Sequence, residues 1–344
     1  MAHKKAFFIV AAMLLINSRL VAAEAVLPAD PCVVISRVNG FSLDARDANY
    51  APLTLVQTAG FGQQDNQVWT FNKIERNVYA MKVAKNGICA DIRNAGGHGS
   101  RLQLGDVNEN QQNRQFIVER LPDGFYTLAA KHSKLLLDVV DAGGWNAEVQ
   151  TAGKQDQIQP NREWLIVPAK IIDDLPVGKA ITYDNRVFYK FGLEPLKNRL
   201  ETAVDGFQIK SIGVGEADKK DVGGLRCDLA NEDGEAVIIL EPRFWYSPEC
   251  LIHIELVSTR AYNFLTELGK ALSNADDAIR KNLIPPIESK LNDMTKNKLN
   301  QHGVSSMKIE VIGIRSDSLV FVSNRLPDEM MPLVQKALAE MKDG

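Results

Sequence analysis

The sequence predicts a two-part chain: an all-β domain of three repeats, followed by an α+β domain. Three observations carry this. Two independent anchors recur with a period of 47–48 residues between positions 43 and 164. The segments between them are short apolar pairs punctuated by Gly, Asn and Asp. Beyond about Ile181 the period is lost and helical spacing enters.

The chain has 344 residues, 45% hydrophobic and 24% charged, which fits about two globular domains. Its net charge of −3, without a dense Lys/Arg run, argues against a nucleic-acid partner, since phosphate neutralisation needs a basic face. The first 23 residues read as a cleaved secretion signal. Lys4 and Lys5 supply the positive start, and Ala6–Ile16 is an apolar run too short to span a bilayer. Val21-Ala22-Ala23 offers small residues for cleavage after Ala23. The mature protein is therefore expected outside the cytoplasm, in the extracellular or periplasmic space. The four cysteines, Cys32, Cys89, Cys227 and Cys250, then predict two disulfides. Three pairings exist, of which proximity within each domain favours Cys32–Cys89 and Cys227–Cys250. No CxxC or Cys/His cluster suggests a metal, and no cofactor is expected.

The first anchor is an apolar residue followed by Asp: Leu43-Asp44, Ala90-Asp91 and Leu137-Asp138. The second is Asn66-Gln67-Val68-Trp69, Asn113-Arg114-Gln115-Phe116 and Asn161-Arg162-Glu163-Trp164. Between them, Val34-Ile35, Leu53 with Leu55, Leu102 with Leu104, and Ile166-Val167 read as strand residues. One such unit cannot bury its apolar face. Three around a pseudo-threefold axis can close a small barrel and remove most sheet edges.

The Asn-Gln-x-Trp element resembles the QxW signature of ricin-type β-trefoil lectins. Its full form stands in the first repeat, and the resemblance runs from about Val33 to Val167. It implies a β-trefoil over residues 33–168 that binds glycans or glycoconjugates, and that meets a membrane surface only through such glycans. By position, the family's sugar-binding Asp and Asn correspond to Asp44 with Asn66, Asp91 with Asn113, and Asp138 with Asn161. A carboxylate accepts from two sugar hydroxyls, an amide adds donors and an acceptor, and an aromatic ring covers the C–H face. The third repeat adds Trp145 and Gln150. The second adds His98 and Gln103. The first has Ala51 in that place, beside Tyr50. The aromatic that family members carry some residues past the Gln is missing from all three repeats; Thr151-Ala152-Gly153 occupies that stretch of the third. Each Asp–Asn pair has a second reading, as two side chains that bond each other and brace the loop. His98 likewise reads as a plain solvent-exposed residue. Trp69, Phe116 and Trp164 read as core.

Pro168–Asp184 reads as a connector, with the linker at 169–180 and the α+β domain at 181–344. There, Phe207–Val214, Ala236–Leu240 and Leu251–Val257 read as strands. Arg260–Leu299 has helical texture, Met307–Ile314 and Leu319–Val322 form a hairpin, and Pro327–Met341 is a terminal amphipathic helix. No GxSxG, HExxH or P-loop motif marks an enzyme. Cys250 and His253 lie on opposite faces of a strand and cannot act as a local thiol–imidazole pair. Three functions remain open: a secreted lectin, a secreted enzyme or toxin that its trefoil targets to glycans, and a protein-binding trefoil without a sugar site.

Overall fold

The computed structural model describes residues 25–60, 64–143, 146–153, 159–192, 206–214, 225–242, 250–259, 268, 309–314 and 318–340. The stretch read as a secretion signal, Trp145 and almost all of the helical segment read at 260–299 lie outside the described residues.

Each repeat contributes four strands. The first has β1 (Cys32–Ser36), β2 (Ser42–Ala45), β3 (Val56–Ala59) and β4 (Trp69–Glu75). The second has β5 (Val78–Val83), β6 (Ala90–Ile92), β7 (Leu102–Leu104) and β8 (Gln115–Arg120). The third has β9 (Tyr126–Ala130), β10 (Leu136–Val139), β11 (Ala147–Ala152) and β12 (Trp164–Pro168). The outer strands of each repeat pair in a closed ring, β1–β4–β5–β8–β9–β12 and back to β1. The inner strands form three hairpins, β2–β3, β6–β7 and β10–β11. These cap one end of the barrel and join through β11–β3 pairing and the Leu55↔Gln103 and Arg101↔Gln150 bridges. Closure leaves no barrel edge, and the N-terminal region is a β-trefoil.

The repeat places equivalent side chains in one core. Trp69, Phe116 and Trp164 are all buried inside it, together with Leu43, Leu137, Val34, Met81 and Leu128. Leu53 departs from the strand reading. It sits in the loop before β3 at φ +73 and is 70% exposed, because this loop is one residue longer than its counterparts.

The cysteines correct the disulfide expectation. Cys32, Cys89 and Cys227 are free, buried thiols, so neither Cys32–Cys89 nor Cys227–Cys250 forms. Cys32 occupies the barrel position that Tyr79 and Tyr126 hold in the other repeats, which faces the core and not a second cysteine. Burial, and then the Asp30 carboxylate, push its thiol up to about 12. Burial, with Cys32 next in weight, likewise pushes the nearby Tyr183 phenol up to about 12. An unfolded thiol titrates near ~8.5 and an unfolded phenol near ~10. Above those values the native state keeps protons that the unfolded chain gives up, so stability present at neutral pH falls as pH rises towards 12. The unfolding midpoint should therefore drop between pH 8.5 and 11, and Cys32 should resist a thiol reagent until the protein unfolds. Rapid labelling of native Cys32 at pH 8 would contradict this placement.

The connector is structured. α1 (Ala169–Asp173) follows β12 directly, and Ile172 and Leu175 are buried. They join a second core with Val33 and Ile35 of β1, Leu165 and Val167 of β12, Phe125, and Phe188, Val320 and Val322. The last three come from a four-stranded sheet in the order β13 (Ala180–Tyr183), β14 (Arg186–Gly192), β20 (Ser318–Ser323), β19 (Ile309–Ile314). Alternate residues of β1 and β12 thus point into the barrel and out against this sheet. That is why Cys32–Ile35 and Trp164–Val167 are continuous apolar runs, as strands covered on both faces require. A further antiparallel sheet runs β15 (Gln208–Val214), β16 (Leu225–Asn231), β17 (Gly234–Pro242), β18 (Cys250–Thr259). The terminal helix is α2 (Met331–Glu340).

Candidate functional site

The three Asp residues sit in equivalent surroundings at the hairpin end. In β2, Leu43 and Ala45 point into the core and Asp44 lies between them on the other face. Asp91 in β6 and Asp138 in β10 repeat this. A pair of left-handed residues follows each strand: Asp47-Ala48, Asn94-Ala95 and Asp141-Ala142, all with φ between 48 and 58. Asp and Asn tolerate that region and Ala does not, so the turns store strain that the framework below them must hold.

That framework is the Asp–Asn pair. A 3-10 turn brings the second anchor beneath the first. Asn66 Nδ2 donates to Asp44 Oδ2 at 2.8 Å, and Asn161 Nδ2 donates to Asp138 Oδ2 at 2.9 Å. Asn113 Nδ2 reaches both Asp91 oxygens at 3.2 Å. The next residue completes each cluster and distinguishes the repeats. Gln67 donates an amide hydrogen to Asp44 at 2.9 Å. Arg114 and Arg162 instead form ion pairs with Asp91 and Asp138 at 2.7 Å. Burial pulls the Arg114 pKa down, but the Asp91 and Asp106 carboxylates outweigh it and hold it above the ordinary guanidinium value. Asp44, Asp91 and Asp138 are each 4% exposed. The bracing reading therefore holds in all three repeats. Asn66 and Asn161 each keep one buried amide oxygen without a partner.

Gln150 donates to Asp138 Oδ1 at 3.4 Å, and Gln103 is buried opposite Asp91. His98 is exposed on the second loop, near Gly153 of the third repeat. Sequence reasoning missed Gln57, which donates to Asp44 at 3.4 Å. The extra loop residue puts it 13 after its Asp where the other repeats have 12. It also missed the links between repeats. Arg46 donates to Gln57 at 2.7 Å and meets Glu148 at 3.3 Å. Glu148 also pairs with Arg101 at 2.6 Å, and Arg101 donates to Gln150 at 2.7 Å. A chain of polar contacts thus runs from Asp44 to Asp138 across the hairpin cap. Among the described residues, no group of three or more His, Cys, Asp or Glu is placed to hold a metal.

Residues 65–152 match the family model described as ricin-type beta-trefoil lectin domain-like. No curated protein matches the chain. Among solved structures, the designed threefold-symmetric protein ThreeFoil is 25% identical, with 40% of this chain and 97% of that one covered at a TM-score of 0.38. The Rhizoctonia solani agglutinin is 17% identical, with 42% and 99% covered at a TM-score of 0.37. The Macrolepiota procera ricin B-like lectin, solved with lactose, is 16% identical, with 41% and 97% covered at a TM-score of 0.34.

Proposed function

We propose that this chain is a secreted lectin, which binds glycans through the hairpin end of its trefoil after the leader is removed. The observation that carries the reading is the threefold set of Asp–Asn clusters, each buried under a strained, solvent-facing turn, and the lectin-domain family match over residues 65–152 supports it. Rigid mounting limits the entropy lost when a loop closes on a ligand. A shallow sugar site binds weakly alone, so affinity comes from presenting several glycans at once. Glycans on a dense carrier should bind the full chain about 10²–10⁴-fold more tightly than the same monovalent sugar. A glycan array followed by competition with free sugar tests this. Equal retention on glycosylated and bare carrier would refute the reading.

A second reading gives residues 181–344 an effector role, with the trefoil as its targeting module. It is favoured by the shared core that fixes the β13–β14–β20–β19 sheet to the barrel wall, so that both travel together. The full chain, not a trefoil fragment, is the form to assay, because that core would otherwise be opened.

A further inference from the structure

We infer that residues 25–31 are a strap that closes the open end of the barrel and thereby orders maturation: the leader is cut away while the chain is unfolded, and the folded trefoil is no longer a substrate for that cut. The order rests on the leader reading above; the strap itself does not.

The ring strands β1, β5 and β9 start at the end of the barrel away from the hairpin cap. Three equivalent side chains, Cys32, Tyr79 and Tyr126, face the core there. Two are large rings and one is a small thiol, so the first repeat fills less of the mouth than the others. Chain from before β1 makes up the difference. Ala25 and Leu27 are buried in the same core, while Val26 between them is exposed. That alternation is extended backbone with one face against the barrel.

Both backbone groups of Ala25 are held by side chains of the β4–β5 hairpin. Ala25 N–H donates to Asn77 Oδ1 at 3.0 Å, and Tyr79 Oη donates to the Ala25 carbonyl at 2.7 Å. Asn77 sits in the turn at φ +57, a left-handed position that Asn tolerates. Its own carbonyl accepts from Val118 N–H at 2.8 Å, which fixes it against the next strand of the ring. The equivalent residue in the β8–β9 turn is Gly124, which has no side chain to offer. Downstream, the strap is tied to the connector: Ala169 N–H donates to the Pro31 carbonyl at 2.9 Å, and Asp30 pairs with Lys170.

Cutting after Ala23 breaks the bond between its carbonyl carbon and the Glu24 nitrogen. Water adds its hydroxyl to the carbonyl and a proton to the new amine. A protease takes its substrate as extended chain on both sides of that bond, so the backbone there must be free to leave the fold. Ala25 and Leu27 are the second and fourth residues past the bond. To enter a protease cleft they must leave the core, and both Ala25 hydrogen bonds must open. The folded chain is cut only through that opened state, whose population sets the rate. An unfolded chain has no strap to open.

The test separates strap from leader. The full chain is made with a factor Xa recognition sequence immediately before Glu24, and again with a flexible spacer of about ten Gly and Ser residues between that sequence and Glu24. A synthetic peptide carrying the same sequence followed by residues 24–32 is the unfolded reference. The peptide and the spaced form should be cut at similar rates, and the direct form about a hundredfold more slowly. Asn77→Ala and Tyr79→Phe should each speed the direct cut about five- to tenfold, with unfolding midpoints showing that the variants are folded. Equal rates for the direct and spaced forms overturn the strap, as does a direct rate that neither substitution changes. The natural precursor, exported from a secreting host and weighed by mass spectrometry, should begin at Glu24. Retention of the leader there overturns the leader reading and the order of events, while a slow direct cut leaves the strap standing. A refolded precursor that leader peptidase cuts after Ala23 as fast as the unfolded one overturns the order alone.

Discussion

Arg186→Ala is expected to destabilise the full chain by about 3–5 kcal/mol, the usual consequence of removing one partner from a buried ion pair. Arg186 is 0% exposed. It pairs with Glu310 at 2.6 Å, donates to the Ser323 carbonyl at 2.8 Å, and also donates to the Asp123 carbonyl. Its guanidinium stands 4.6 Å from the centre of the Phe125 ring, and that of Arg37 stands 4.1 Å from the same ring. Arg37 pairs in turn with Glu163, with Asp123 at 2.7 Å and with Glu310 at 3.3 Å. Two cations, three carboxylates and one aromatic ring therefore close the seam between barrel and C-terminal sheet. Losing Arg186 strands two backbone carbonyls and leaves Glu310 with Arg37 alone among these contacts. At this size the midpoint should fall by about 6–15 °C. Arg186→Lys keeps the charge but not the planar fork, and should recover only part of the loss. Because the apolar core crosses the same seam, the trefoil and this sheet should unfold in one transition. A midpoint within 1 °C of the parent would refute the role of the seam.

Asp138→Ala is expected to cost about 3–5 kcal/mol, and Asp44→Ala only about 1–3 kcal/mol. The two positions are equivalent in the fold, yet Asp138 neutralises Arg162, whose side chain is 7% exposed. Asp44 is held by the amides of Asn66, Gln67 and Gln57. Removing Asp138 leaves a buried cation, and removing Asp44 leaves buried amides. Arg162→Gln recreates the first repeat's arrangement and should be milder than Asp138→Ala. Urea unfolding of the three variants measures the order, and equal losses at Asp44 and Asp138 would count against it. It follows that a loss of binding in Asp138→Ala would report folding as much as recognition.

Much of this architecture was legible in the sequence because a threefold fold writes each structural requirement three times. The Leu-Asp and Asn-x-x-aromatic anchors recur because each repeat must place the same residue in the core and the same pair under the same turn. The period located Asp44, Asp91 and Asp138, their Asn partners, and the core residues Trp69, Phe116 and Trp164. It did not reveal Gln57, since one inserted residue shifts its offset. Nor did it show the state of the cysteines, because Cys32 answers to the core position shared with Tyr79 and Tyr126 and not to its distance along the chain from Cys89.

The sequence by itself determined the period, the closed all-β fold and the residues that alternate into its core, since these depend on local spacing and burial pattern. Only the tertiary structure decided what the repeated carboxylates do and how the two halves join. A carboxylate's role is set by the charge that reaches it through space, whether Gln67 or Arg162. The seam depends on Arg37, Phe125, Arg186 and Glu310, which lie up to 273 residues apart and have no common periodicity.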